Sequence, residues 1–189
     1  MIDEAAPVSR IAPAERRSRA LRAALIGVVA LLFNIGVFFL PIDYGAFGRY
    51  AYLGVFLITL IANATVIIPI PYPAVIARVA TQADSLALVI LAGALGSVLG
   101  ESVAFFVGRS GRGAVEDTRF YRWVQRQMRH PWRAFLVLFG LAAPPNPAFD
   151  VAGLAAGALG LPYWMFFTAV FFGRMIRIAV FVLVGLGLR

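Results

Sequence analysis

Asn63 to Pro73 reads NATVIIPIPYP and Pro144 to Asp150 reads PPNPAFD, and each stretch interrupts a long apolar run. Proline lacks an amide donor and fixes φ. Pro69, Pro71 and Pro73 therefore block a helix through the first stretch, as Pro144, Pro145 and Pro147 do through the second. Gly100 lies 29 residues after Pro71 and Gly173 lies 28 residues after Pro145; Glu101 follows the one and Arg174 the other. A break followed at matched spacing by a charge in an apolar helix predicts two copies of one unit, the way transport sites near a bilayer midplane are built.

The composition says which solvent surrounds these runs. The 189 residues are 61% hydrophobic and only 14% charged, with a mean hydropathy of +0.86. That is more apolar surface than one soluble core can hide, so the expected solvent is lipid. With no cysteine there is neither a disulfide framework nor a thiolate site, and one histidine, His130, cannot form a metal cluster. No metal or other cofactor is expected. Every basic residue is arginine and the net charge is +8. In a membrane protein that excess marks cytoplasmic loops rather than nucleic-acid binding, so no nucleic-acid partner is expected.

Working outward, residues 1–20 carry Pro7, Pro13 and several arginines with little apolar content, which predicts a mobile cytoplasmic tail. The run from 21 to 40 is long enough for one helical crossing and reads as a retained anchor rather than a cleaved signal, with Arg22 snorkelling at its inner end. The segment 109–133 is rich in arginine and belongs in the cytoplasm with the tail. That placement decides the topology. If 51–77 crossed fully, the basic segment would be external; if 51–80 instead enters from outside, turns at the prolines and leaves on the same side, 84–108 crosses inward and both basic segments lie inside. A single helix kinked at proline is the competing reading. The expectation is thus an all-α polytopic membrane protein, an inverted repeat of two re-entrant, proline-broken hairpins (51–80 and 134–160) with about three full crossings (21–40, 84–108 and 162–187). Within the basic segment, Phe120, Trp123, Val124 and Met128 fall at helical spacing, predicting an interfacial helix over 116–129.

The second tip carries a helix-start signal, with Asn146 suited to the N-cap and Pro147 to the first turn; Pro73 starts the matching arm of the first hairpin. Two half-helix N-termini approaching the midplane from opposite sides suit an anionic group such as phosphate. Asp150 either compensates that dipole or binds a proton. Glu101, Arg174 and Arg177 sit inside the apolar helices, where each charge costs roughly 2.5–3.5 kcal/mol, so the three need partners or water. The cheapest arrangement sets Glu101 against Arg174, as a structural tie or as a switching pair, and leaves Arg177 unpaired as an anion ligand. Gly93, Gly96 and Gly100, and likewise Gly153 and Gly157, form small stripes that permit close helix approach.

From Asn146 to Gly157 the residues follow the pattern N-P-x-F-D-x-A-G-x-x-A-G, and Trp164, Phe166, Gly173 and Arg174 continue it. In these residues the chain resembles the DedA, or VTT-domain, membrane proteins, a family related to eukaryotic SNARE-associated Golgi and vacuole-membrane proteins, over about residues 45–187. The resemblance implies two oppositely oriented re-entrant hairpins and lipid translocation, with undecaprenyl phosphate and phosphatidylethanolamine among bacterial cargo and coupling to a proton gradient. Where the better-studied members carry an acid before the first turn and two arginines around the second, this chain has Asn63, Leu141, Ala142 and Phe149. Charge must then come from Glu101, Asp150, Arg174 and Arg177.

The expected function is a non-enzymatic lipid translocase or scramblase of a bacterial inner membrane, N-terminus inside, whose partners are anionic membrane lipids. Asn146, Arg174 and Arg177 would hold phosphate while Glu101 and Asp150 exchange protons or ion pairs. The reading is compatible with a homo-oligomer. A proton-coupled transporter of small ions or solutes and a non-transporting membrane scaffold are the alternatives.

Overall fold

The structure, a computed structural model, describes residues 25, 28–29, 31–65, 70–111, 119–144 and 148–188, leaving out the side chains of 119–121, 125, 148 and 150. The described residues contain helices and turns but no strand. A helical stretch over 31–38 (α1) is followed by a 3-10 turn at Gly45–Phe47. Then come α2 (Tyr50–Ala64), α3 (Tyr72–Ala80), α4 (Leu86–Arg109), α5 (Arg119–Met128), α6 (Pro131–Ala142), α7 (Ala148–Ala158) and α8 (Tyr163–Gly187).

Among the described residues, only α4 and α8 are long and apolar enough to cross a membrane, at 24 and 25 residues. At 1.5 Å per residue each is roughly 36 Å long, more than the hydrocarbon thickness of about 30 Å. Their outward faces remain apolar, with Leu91, Leu95, Leu99, Val103 and Phe106 on α4 and Phe172, Ile176, Val180 and Leu183 on α8 all exposed. Stripes of that size at helical spacing face lipid rather than water. The third expected crossing, over 21–40, lies partly outside the described residues, as do the tail 1–20 and the first residues of the expected interfacial helix. Within that helix, α5 turns Val124 and Met128 into the core and leaves Arg122 and Arg126 exposed.

The order short helix, break, short helix, long helix occurs twice, as α2–α3–α4 and as α6–α7–α8. The two long helices run antiparallel, because Gly93 faces Ile178 while Phe105 packs on Phe166 with ring centroids 4.7 Å apart. The start of α2 and the end of α3 share one level: Ser85 donates its amide to the Tyr52 hydroxyl (3.1 Å) and Gly45 donates to Gln82 Oε1 (2.9 Å). Each broken pair straddles the long pair. α2 lies along α4 and α3 along α8; α6 lies along α8 and α7 along α4.

Local chemistry fixes the ends. Ser85 caps α4, its hydroxyl accepting the Leu88 amide at 3.4 Å. α6 starts at Pro131, three residues before the expected hairpin boundary, because proline suits the first turn. α7 closes in a Schellman motif: Gly160 adopts φ +69°, its amide donates to Gly157 O, and the Leu161 amide donates to Ala156 O. Glycine also sets the helix spacing. A Cβ on Gly100 would lie 2.9 Å from the Ala64 amide nitrogen, and one on Gly157 would strike the Phe105 carbonyl. The small stripes thus bring α2 and α7 backbone to backbone with α4.

Candidate functional site

The breaks set the level of the site. Before the first, Asn63 and Ala64 lie against Gly100 of α4; after it, the Tyr72 ring packs against Phe181 of α8, with centroids 6.0 Å apart. The end of α6 lies against Gly173, whose nearest neighbours are Ala142, Phe139 and Ala143. Both breaks therefore reach the middle stretches of α4 and α8, one from each end of the long pair. Glu101, Arg174 and Arg177 occupy that same stretch.

Glu101 Oε1 and Arg174 Nη2 form an ion pair, with the two side chains only 3% and 2% exposed. Phe149, from the first turn of α7, presents its ring to Arg174, 4.9 Å from Cζ to centroid. A cation over an aromatic face in a dry setting gains about 2 kcal/mol. Even so, the pair is incompletely satisfied: Glu101 Oε2 and Arg174 Nε and Nη1 are buried with no hydrogen-bond partner. A guanidinium keeps its charge and always has N–H groups to offer, so two of these atoms are donors awaiting an acceptor.

Arg177 differs from the sequence expectation. It is buried and engaged, its Nε donating to Ala143 O at 3.4 Å and its Nη2 to Pro144 O. The reason lies in the break: where α6 stops, its last carbonyls lose their helical donors, and a cation one turn along α8 supplies them. Arg177 thus holds the second break in place instead of standing unpaired. Tyr72, at the start of α3, lies close enough to the same guanidinium for its hydroxyl to feel that charge, so both breaks converge on one side chain.

A neutral polar row continues the cluster along α4. Asn63 Nδ2 donates to Thr59 O (2.7 Å) and to Ser97 Oγ (3.3 Å), and Ser97 precedes Glu101 by one helical turn. Thr59, 0% exposed, returns its own hydroxyl to Val55 O. Sequence reading singled out Asn63 but missed Thr59, Ser97 and Tyr72. Buried hydroxyls in apolar helices are common enough to carry no signal of their own, whereas an unpaired charge does.

Of the other residues expected at the site, Pro71 is the N-cap residue of α3 and Pro73 lies in its first turn. Pro144 accepts from Arg177. Pro69, Pro145, Asn146 and Pro147 lie outside the described residues, so the expected N-cap at Asn146 does too. Asp150 stands in the first turn of α7, its side chain outside the described set.

A family model described as the VTT domain matches residues 68–187, from the first break to the end of α8. The chain is similar to vacuole membrane protein KMS1 of Arabidopsis thaliana, 31% identical over 104 aligned residues that cover 43% of this chain and 24% of that one. It is similar to vacuole membrane protein 1 of Homo sapiens, 28% identical over 103 residues covering 43% and 25%. A shorter match of 42 residues, 40% identical, is to the vacuole membrane protein 1 homolog of Dictyostelium discoideum. The match takes in about a quarter of the length of the first two relatives. No solved structure matches the chain.

Proposed function

Because the chain belongs to the VTT-domain family of membrane proteins, we propose that it is a non-enzymatic translocase or scramblase for phosphate-bearing lipids, an undecaprenyl phosphate or a phospholipid, in a bacterial inner membrane. The observation that carries this reading is the meeting of both backbone breaks with Glu101, Arg174 and Arg177 in the middle of α4 and α8. In this proposal α2 with α3, and α6 with α7, are re-entrant hairpins entering from opposite faces, with the N-terminus cytoplasmic. Non-helical backbone at that depth persists only against protein or water, which argues for a wettable centre. The headgroup crosses there while the tails stay in lipid.

The charge economy supports the same reading. A phosphate that takes the place of Glu101 on Arg174 exchanges one anion for another, so the guanidinium is never left alone at a cost of about 3–5 kcal/mol. The two unpartnered donors of Arg174 receive the extra oxygens, and a proton taken up by Glu101 or Asp150 makes the exchange sensitive to a proton gradient. Arg177 couples the event to the second break through its carbonyl contacts.

The test is headgroup flipping in liposomes by the full chain, its Arg177→Lys form and its Arg177→Ala form. The proposal expects at least tenfold slower flipping for the alanine form, with partial recovery for lysine. Unchanged flipping in a folded Arg177→Ala protein removes that residue from the pathway. Uptake of a soluble anion without lipid flipping would favour a solute transporter instead.

A further inference from the structure

A groove of about 360 Å³ runs between α1, α3 and α8, away from the buried ion pair. Its inner end, at Pro73, Asn34 and Phe181, begins beside the first break; its outer end lies at Phe38, Ala77 and Leu188. Apart from Asn34, its lining is apolar, and the Asn34 side-chain oxygen is occupied by the Ala74 amide at 3.3 Å. At the outer end stands a cation. Arg78, in the last turn of α3, places its Cζ 5.9 Å from the centroid of the Phe38 ring, and its Nε is buried with no hydrogen-bond partner. Among the described residues Arg78 has no carboxylate partner; Asp43, in the nearby loop, spends Oδ1 on the Gly45 and Ala46 amides. The turn that follows, Gln82, Asp84 and Ser85, is polar, as befits the boundary between hydrocarbon and headgroups.

An apolar channel along one helix, ending at an unpaired cation at that boundary, has the layout of a lipid in place. We propose that the α1/α3/α8 groove seats one acyl chain of an anionic phospholipid whose phosphate rests on Arg78. Free phosphate would leave the apolar channel unused, and a neutral hydrocarbon would leave the arginine unpaired; an anionic lipid answers both. The inference rests on the chain lying in lipid and not on transport. The bound lipid stands one helix away from the Arg177 cluster, with its tail reaching toward the first break.

The test uses the full chain with Val184, which lines the groove, replaced by tryptophan (Val184→Trp), in phosphatidylcholine vesicles. A small fraction of lipid is supplied as dibrominated phosphatidylglycerol or dibrominated phosphatidylcholine, and the quenching of the native tryptophans, measured on the parent chain, is subtracted. The expected result is an apparent affinity about fivefold higher for the anionic lipid, the effect of about one basic side chain on a phosphate. The preference should vanish in Arg78→Gln and persist in Arg78→Lys. Equal quenching by both lipids, or a preference unchanged in Arg78→Gln, overturns the proposal. Slowed flipping in Arg177→Ala with lipid preference intact separates the two sites; a preference of one with flipping intact removes the groove alone.

Discussion

Replacing Glu101 by alanine isolates the strongest energetic feature of the fold. Arg174 is 2% exposed, and the carboxylate is its one anionic partner among the described residues. Two of its nitrogens already lack acceptors, so removal of Glu101 leaves a buried guanidinium that faces, among the described residues, the Phe149 ring, a contact present before and after. Arginine cannot shed its proton to escape, because a guanidinium stays charged throughout the pH range of folded proteins. The expected cost is therefore about 3–5 kcal/mol, the range for breaking a buried pair by deleting one partner. The double variant Glu101→Leu with Arg174→Met, which replaces both charges by apolar groups of similar size, should fall within about 1 kcal/mol of the parent. Equilibrium unfolding in mixed micelles titrated with dodecyl sulfate, followed by tryptophan fluorescence, measures Glu101→Ala together with the cycle of Glu101→Leu, Arg174→Met and their double variant against the parent. A loss below about 1 kcal/mol for Glu101→Ala, the size of an exposed pair, would refute the reasoning. So would a double variant whose cost is the sum of the singles.

The same unfolding measurement checks the glycine contacts. Gly157→Ala pushes a methyl into the Phe105 carbonyl and should cost about 1–3 kcal/mol, whereas Gly153→Ala, with nearest neighbours 3.6 Å away, should stay within about 0.5 kcal/mol. Tyr163→Phe deletes the contact between the Tyr163 and Ser102 hydroxyls (2.9 Å) and should cost about 0.5–1.5 kcal/mol. Because the chain has no cysteine, single thiols report topology cleanly. Asp43→Cys and Gln82→Cys should react with a membrane-impermeant maleimide from one side of oriented vesicles, and Ser110→Cys and His130→Cys from the other. Labelling of 43 and 82 from opposite sides would show that the first broken pair crosses the bilayer.

Much of this architecture was legible in the sequence because proline acts locally. Three prolines within five residues stop a helix whatever surrounds them, so the interruption between α2 and α3 could be read directly, and the intact runs on either side gave α4 and α8 nearly to the residue. The Glu101 and Arg174 pair was legible for a different reason: an isolated charge in an apolar helix is so costly that the opposite charge at matched spacing is almost forced upon it. Arg177 was misread because its partners are backbone carbonyls, which every residue has and which become available only where a helix stops. Whether α8 turns that side chain toward Ala143 and Pro144 depends on helix rotation, and helices apolar on nearly every face leave rotation unspecified. For the same reason the sequence did not say that α2 and α7 lean on α4 while α3 and α6 lean on α8. Glycine supplied a partial clue, since Gly96, Gly100, Gly108 and Gly157 each mark a backbone contact, without naming the partner.

That crossed arrangement has a mechanical consequence. The two halves of each broken pair are fastened to different long helices, as the blades of scissors are to different handles. A slide of α4 along α8 must therefore alter the gap within both pairs together; neither mouth can widen while the other stays as it was. The pivot is the lone carboxylate on α4 gripping a guanidinium on α8, so whatever loosens that grip is felt at both breaks at once.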